Sequence, residues 1–277
     1  MCNSGKTKNA AKSDSIAWIA YEIVANRTDR ATMCPIEFRP ATHALKESLA
    51  MLIRANSLSA TVDAVNEAIA SGQKISASDR KAVARWIASR QGLPGAYAGT
   101  FAGFEPERKQ GIQLFTGERI TSASARHILG EEACRALYQL KVRDRDVQQA
   151  LTRATDGLME RLAWAELHPR HINIGLFCCG KCSVGLWRHL LVGGLDRQEE
   201  RLKKGIGYLH SMRDGKGGWR AFPFWYTVLA LSETEGPEAS AEIRYTAATL
   251  ERAAKRSSST RFGQRRQRIA ERALAKT

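Results

Sequence analysis

The segment "GLFCCGKCSVGLWRHLLVGG", from Gly175 to Gly194, sets three cysteines, a histidine and two basic residues into otherwise apolar sequence. Cysteines grouped like this do one of three things. Cys178 and Cys182, one helical turn apart, can share a metal ion, and zinc is the cofactor such thiolates call for. Cys179 and Cys182 can cycle as a Cys-x-x-Cys redox pair, although no βαβ context surrounds them. Or the thiols are small residues sealed at a tight helix contact, where unpaired cysteine commonly sits.

The three readings need different neighbours. A helix starting just after "GLF" puts Cys178 and Cys179 in its first turn, where free N–H groups and the helix dipole favour thiolates. At about 100° per residue, Cys178, Cys182, Gly185 and His189 share one stripe, and Leu186, Trp187, Leu190 and Leu191 pack. His189 lies roughly 10 Å along the axis from Cys182 and cannot complete the same ion site. Further ligands must come from "HPRH" (His168, His171) or from the stripe His127, Glu131, Cys134 and Tyr138.

The expected metal set is therefore Cys178, Cys182 and His127. The expected catalytic set is Cys178, Cys179 and Cys182 as nucleophile or ligand, with His127 or Glu131 as base. His127 and Glu131, four residues apart, also fit a solvated helix-face pair. Tyr97, Phe101, Cys134, Tyr138, Trp225 and Tyr226 are the expected lining of a cavity for a small, partly apolar molecule. Trp225 and Tyr226 read equally well as core aromatics with a polar tip.

The elements that must position these residues are helices. Apolar residues recur at helical spacing with few β-branched runs. The pattern predicts helices over 14–25, 41–55, 59–71, 78–90, 122–141, 144–166, 178–192, 195–212, 222–234, 237–256 and 262–275, joined by short links that imply antiparallel pairs. "SASD" can cap the fourth, Gly193 and Gly194 can end the seventh, and Pro223 suits a first turn. Leu93 to Ile120 is too rich in Gly and Pro for a helix and too long for a plain connection, so it should cover something.

Two stretches follow one grammar: "KAVARWIASRQGLPGAY" (Lys81–Tyr97) and "KGIGYLHSMRDGKGGW" (Lys204–Trp219). Each opens on Lys and a small residue, passes an aromatic–aliphatic pair, and closes on glycine, any residue, aromatic. Gln91 and Arg213 hold the same place. A shorter match ends at Phe177, giving Gly-x-aromatic turns at 95, 175 and 217, consistent with a repeat of about 40 residues interrupted by the long insertion. The pattern resembles the QW motif of the terpene cyclase and protein prenyltransferase superfamily. The resemblance implies an all-α fold in which antiparallel helical hairpins form a small α/α toroid or open arc, inner helix starts facing a central cavity. Its chemistry does not carry over: the cyclases' Asp-x-Asp-Asp is matched only by "DRD" (Asp144–Asp146), and the prenyltransferases' Asp-x-Cys zinc pair has no counterpart.

The organisation read from sequence is an N-terminal extension with one helix (1–40), a helical-hairpin domain (41–256) and a basic C-terminal helix (257–277). The chain has 277 residues and a formal charge of +15, of which residues 251–277 supply nine Lys or Arg against two Glu. Such an excess favours anionic partners without selecting among them. Nucleic acid bound through Arg261–Lys276 is the alternative to a small-molecule cavity, and a purely structural array is the third reading. Uncharged runs are too short to span a membrane. "NSGKT" (Asn3–Thr7) lacks the first glycine and the strand of a phosphate loop. Six cysteines are too sparse for a disulfide scaffold, and no leader-like signal opens the chain, so a reducing cytoplasm and no disulfide-linked partner are expected.

Overall fold

A computed structural model of the chain describes residues 52–168 and 176–277. They belong to a compact unit, Thr42–Thr277. The extension 1–40, the helix expected over 14–25 and most of that over 41–55 lie outside the described residues. So do His171 and Gly175.

The described chain is all-α, with one small hairpin. Its helices are α1 (Leu58–Ala70), α2 (Ala77–Ala88), α3 (Glu105–Gln110), α4 (Ser124–Leu140), α5 (Arg145–Leu167), α6 (Gly180–Leu190), α7 (Gln198–Ser211), α8 (Phe224–Glu233), α9 (Pro237–Lys255) and α10 (Arg261–Leu274). Strands β1 (Ile112–Gln113) and β2 (Arg119–Ile120) pair antiparallel. The starts have the expected chemistry: Ser57, Ser76, Asp144 and Thr260 each accept a first-turn N–H, supplying α1, α2, α5 and α10 with a partner for an orphan donor. Pro223 stands one residue outside α8, at its cap. Gly193 and Gly194, both at positive φ, follow the end of α6.

Helices α1, α4, α6, α8 and α10 contact one another in the order α1–α4–α6–α8–α10. Paired residues rise together along neighbouring helices: His127 with Cys182 and Glu131 with His189 between α4 and α6, and Arg261 with Asp63 then Arg268 with Glu67 between α10 and α1. These neighbours are therefore parallel. The intervening helices α5, α7 and α9 return the chain and pack on the helices before them, α4, α6 and α8, as the short links imply, whereas α2 packs chiefly on α5 and α4. Every residue of α6 except Lys181 is buried, whereas α2 buries only Asp79, Val83, Ala84 and Ile87.

The C-terminal helix, read from sequence as a separate basic element, is built into this unit. It packs on α9 and α8, and its Arg265 reaches back to Asp63 and Glu67 of α1. Most of its charges face outward, while Arg265, Ile269, Ala270 and Ala273 are buried on the other face.

The Leu93–Ile120 segment does cover something. It holds α3 and the hairpin, two elements its Gly and Pro content concealed. Glu107 of α3 accepts from the backbone of Leu58 and Ser59, and Glu118 accepts from the backbone of Trp225 and Tyr226. The segment thus supplies carboxylates to the N-terminal ends of α1 and α8, where helix dipoles favour them. The segment's own Leu114 and Phe115 are buried, and a space of about 30 Å³ remains between them and Ile128 and Tyr226. Gly111 makes the turn into the hairpin: its φ is 86°, and a Cβ there would overlap the Ile120 carbonyl.

Both long motif copies form the same reversal. Backbone bonds join Gly92 to Thr100 and Ala102 to Arg90 in the first, and Asp214 to Gly218 and Arg220 to Met212 in the second. Gln91 thus faces Phe101 as Arg213 faces Trp219. The counterpart of Trp219 is Phe101 rather than Tyr97, because the first loop is four residues longer. Gln91 accepts from Arg153 of α5, and Arg213 donates to Glu242 of α9, so each copy ties its reversal to the next returning helix.

Candidate metal centre

Helices α4 and α6 begin side by side, and their first turns bring together one imidazole and three thiols. Helix α6 starts at Gly180, later than expected, so Cys178 precedes the cap, Cys179 is the cap residue and Cys182 lies in the first turn. Gly180 permits this tight start: a Cβ there would overlap the Ala221 carbonyl. His127 comes from the first turns of α4.

His127 Nδ1 lies 3.3 Å from Cys182 Sγ, and Cys179 Sγ lies 3.5 Å from Cys182 Sγ. The ligand atoms of His127, Cys178 and Cys182 all fall within 4.8 Å of one another, the one such group among the described residues. This is the Cys178–Cys182–His127 set that spacing singled out. Cys179 touches its edge and contacts Ser124 Oγ at 3.4 Å. Cys178 is exposed, Cys179 half-buried and Cys182 buried, so the group runs from surface to core.

Burial lowers the His127 pKa to about 4, leaving the ring neutral and its nitrogen lone pair available at pH 7. Hydrogen bonding with Cys178 and Cys182 lowers the Cys179 thiol pKa, the bond with Cys179 raises that of Cys178, and bonds with Cys178 and then Cys179 raise that of Cys182. None of the described cysteines is disulfide-bonded.

Tyr97 stacks on His127 with ring centroids 3.6 Å apart, and Phe177 meets Tyr97 edge-on at 6.0 Å. Arg161 donates to the Tyr97 hydroxyl and lies over the Trp164 ring. The longer first loop therefore carries Tyr97 over the metal-ligand group. Gly157 of α5 makes room for it, since a Cβ there would overlap the Ala98 carbonyl.

The remaining expected site residues lie elsewhere. Glu131 does not pair with His127: it faces His189 Nδ1 at 2.6 Å, both fully buried. The separation that kept His189 from the cysteines carries it about two turns along α6 to meet Glu131. Cys134 is sealed in the core, which raises its thiol pKa. Phe101 is likewise core. Tyr138 meets Thr155 through its hydroxyl and His189 through its ring. Trp225 packs against Phe224, under Arg266. His168, the described member of "HPRH", packs against Trp164.

Tyr226 belongs to a polar interior that spacing did not indicate. Its hydroxyl donates to Glu132 at 2.6 Å; Glu132 also accepts from Asn66 and is ion-paired with Arg188. Arg188 and Arg135 both bind Glu233, and Arg135 donates to the Arg188 carbonyl. Three helices thus meet through charges of both signs, the form in which buried charge is tolerated, and Asn66 of α1 adds a neutral donor. The signal was a charged residue inside each apolar run: Glu132 in "ILGEEACRAL" and Arg188 in "LWRHLL".

Comparisons of the chain with protein-family models, curated proteins and solved structures find no match. Among the described residues, no helix is long and apolar enough to cross a membrane.

Proposed function

We propose that this is a zinc-dependent protein whose metal is held by Cys178, Cys182 and His127, in a scaffold of parallel helices arranged as a small ring. The observation that carries the reading is the convergence of one neutral imidazole nitrogen and two thiol sulfurs within 4.8 Å, from two helix starts and the residue before the cap of one of them. Two thiolates and an imidazole are a soft donor set suited to zinc, and three protein ligands are the complement of centres that keep a fourth position for water or substrate. Bound there, zinc would supply Lewis acidity or an activated water. The protein's own part is to hold Cys182 rigidly from the core, to present Cys178 at the surface, and to cover His127 with Tyr97.

The ring is supported by the order of helix contacts and by the Arg265 pairing that brings α10 back to α1. Its substrate class is a small, partly apolar molecule, as the aromatic surroundings of the centre suggest. Nucleic-acid binding through Arg261–Lys276 has less support, because Arg265, Arg268 and Lys276 are engaged in ion pairs.

Metal analysis of tag-free protein tests the proposal. About one zinc per chain is expected, falling to near zero in Cys182→Ser and His127→Ala, with Cys134→Ser unchanged. A cobalt-substituted sample should show two thiolate ligands and respond to an added small anion. Absence of metal with ordinary thiol reactivity would overturn the proposal, and a cobalt spectrum of three thiolates, indifferent to added anion, would reassign Cys179 as a fourth ligand of a closed structural centre.

A further inference from the structure

The charged interior opens, at the C-terminal ends of α1, α4, α6, α8 and α10, into a cavity of about 480 Å³. The metal-ligand group sits at the opposite ends of α4 and α6. Five arginines line this cavity: Arg135, Arg188 and Arg265, all buried, and Arg268 and Arg272, both exposed. Its volume is that of a site for a small organic molecule.

The charges nearly balance, and the remainder is informative. Arg135 and Arg188 are matched by Glu132 and Glu233, and Arg265 and Arg268 by Asp63 and Glu67. Arg272 makes no ion pair among the described residues and interacts with Glu233 and Glu235 only at longer range. Arg261, outside the cavity, shares Asp63, and among the arginines of the lining Arg272 is the one left without a carboxylate partner among the described residues. Two buried polar atoms of the lining, Arg135 Nε and Gln139 Oε1, have no hydrogen-bond partner among the described residues. Native interiors seldom leave such atoms unmatched without a ligand or water to meet them.

Ile69, Phe115, Leu229 and Ile269 make the rest of the wall apolar. The helices end here, so their carbonyl termini oppose accumulation of negative charge. A single surplus cation can offset one anionic group, not several.

We propose that this cavity binds a small monoanion with an apolar body, a carboxylate. Arg272 supplies the charge, Arg135 Nε donates to the carboxylate, Gln139 meets it through its amide nitrogen while its Oε1 accepts from water, and Ile69, Phe115 and Leu229 take the apolar part. The proposal stands independently of the metal centre.

Isothermal titration of the full chain with decanoate, below its micelle concentration, tests this against 1-decanol and inorganic diphosphate. Decanoate should bind one per chain and weaken with added salt, with decanol and diphosphate both weaker. Arg272→Gln, at an exposed position, should weaken decanoate about tenfold, the loss of one charge-assisted contact, while Arg272→Lys should stay within about threefold. Circular dichroism matching that of the parent chain keeps the comparison one of binding. Equal affinity for decanol, tighter binding of diphosphate, indifference to Arg272→Gln, or no decanoate binding would each overturn the assignment.

Discussion

Tyr97 shows how one side chain can be moved from packing to a site. In the second motif copy Trp219 closes the reversal, and its indole donates to Glu242. In the first copy Phe101 fills that place, and the four extra residues carry Tyr97 onto His127. Space for the loop depends on Gly157. Gly157→Ala should therefore displace Ala98 and its neighbours, uncovering His127 while leaving the helices intact. The expected readout is faster reaction of His127 with diethyl pyrocarbonate in metal-free protein, with an unchanged far-ultraviolet dichroism spectrum. Unaltered His127 reactivity would show that the loop is not held by this contact.

At the scale of elements, helix starts carry most of the local specification. Glu118 stands more than a hundred residues from the α8 backbone it caps. Glu118→Gln keeps an acceptor but removes the charge facing the dipole, and should cost roughly 0.5–1 kcal/mol in denaturant unfolding; Glu118→Ala should cost more. The nine regular helices of the described chain were legible because their apolar faces recur at helical spacing and their caps are local. Helix α3 and the hairpin were not, because Glu107, Leu114 and Phe115 are fixed by distant partners, α1 and α10 among them. The cysteine–histidine cluster was legible in part: spacing brought Cys178 and Cys182 together, and His127 lay on a stripe of a neighbouring helix. That same stripe misassigned Glu131, since a stripe gives direction, and the partner at each level depends on how two helices are set along their axes. His189 and Glu131 meet because α4 and α6 run parallel, which no local pattern in either helix specifies.

Across the whole molecule, the charged interior makes stability depend on pH and on single arginines. Burial alone would raise the Glu233 pKa, but Arg188 and then Arg135 hold it below the ordinary carboxylate value. A carboxylate so lowered contributes stability that is complete above its unfolded pKa, about 4.3 for Glu, and is lost as pH falls through the folded value. Urea unfolding between pH 7 and pH 3 should show this decline, and Glu233→Gln should be less stable at neutral pH with a shallower dependence on acid. Arg265 is 1% exposed in its side chain and binds Asp63, Glu67 and the Phe115 carbonyl. Its replacement by Ala should cost about 1–3 kcal/mol, from the lost packing of a buried side chain and the unmatched Phe115 carbonyl, since the half-buried Asp63 and Glu67 keep Arg261 and Arg268, and replacement by Met should cost less. A chain cut before residue 257 loses a packed helix rather than an appendage, so loss of nucleic-acid affinity on such truncation would report unfolding.

The Arg265–Glu67 contact also bears on how this protein is made. It joins residues 198 positions apart, so on the ribosome Asp63 and Glu67 emerge long before their guanidinium partner is synthesised. Until Arg265 clears the exit tunnel the nascent helices have an open seam with acidic groups along it, and only then can the last helix dock and the chain reach its final, protease-resistant state.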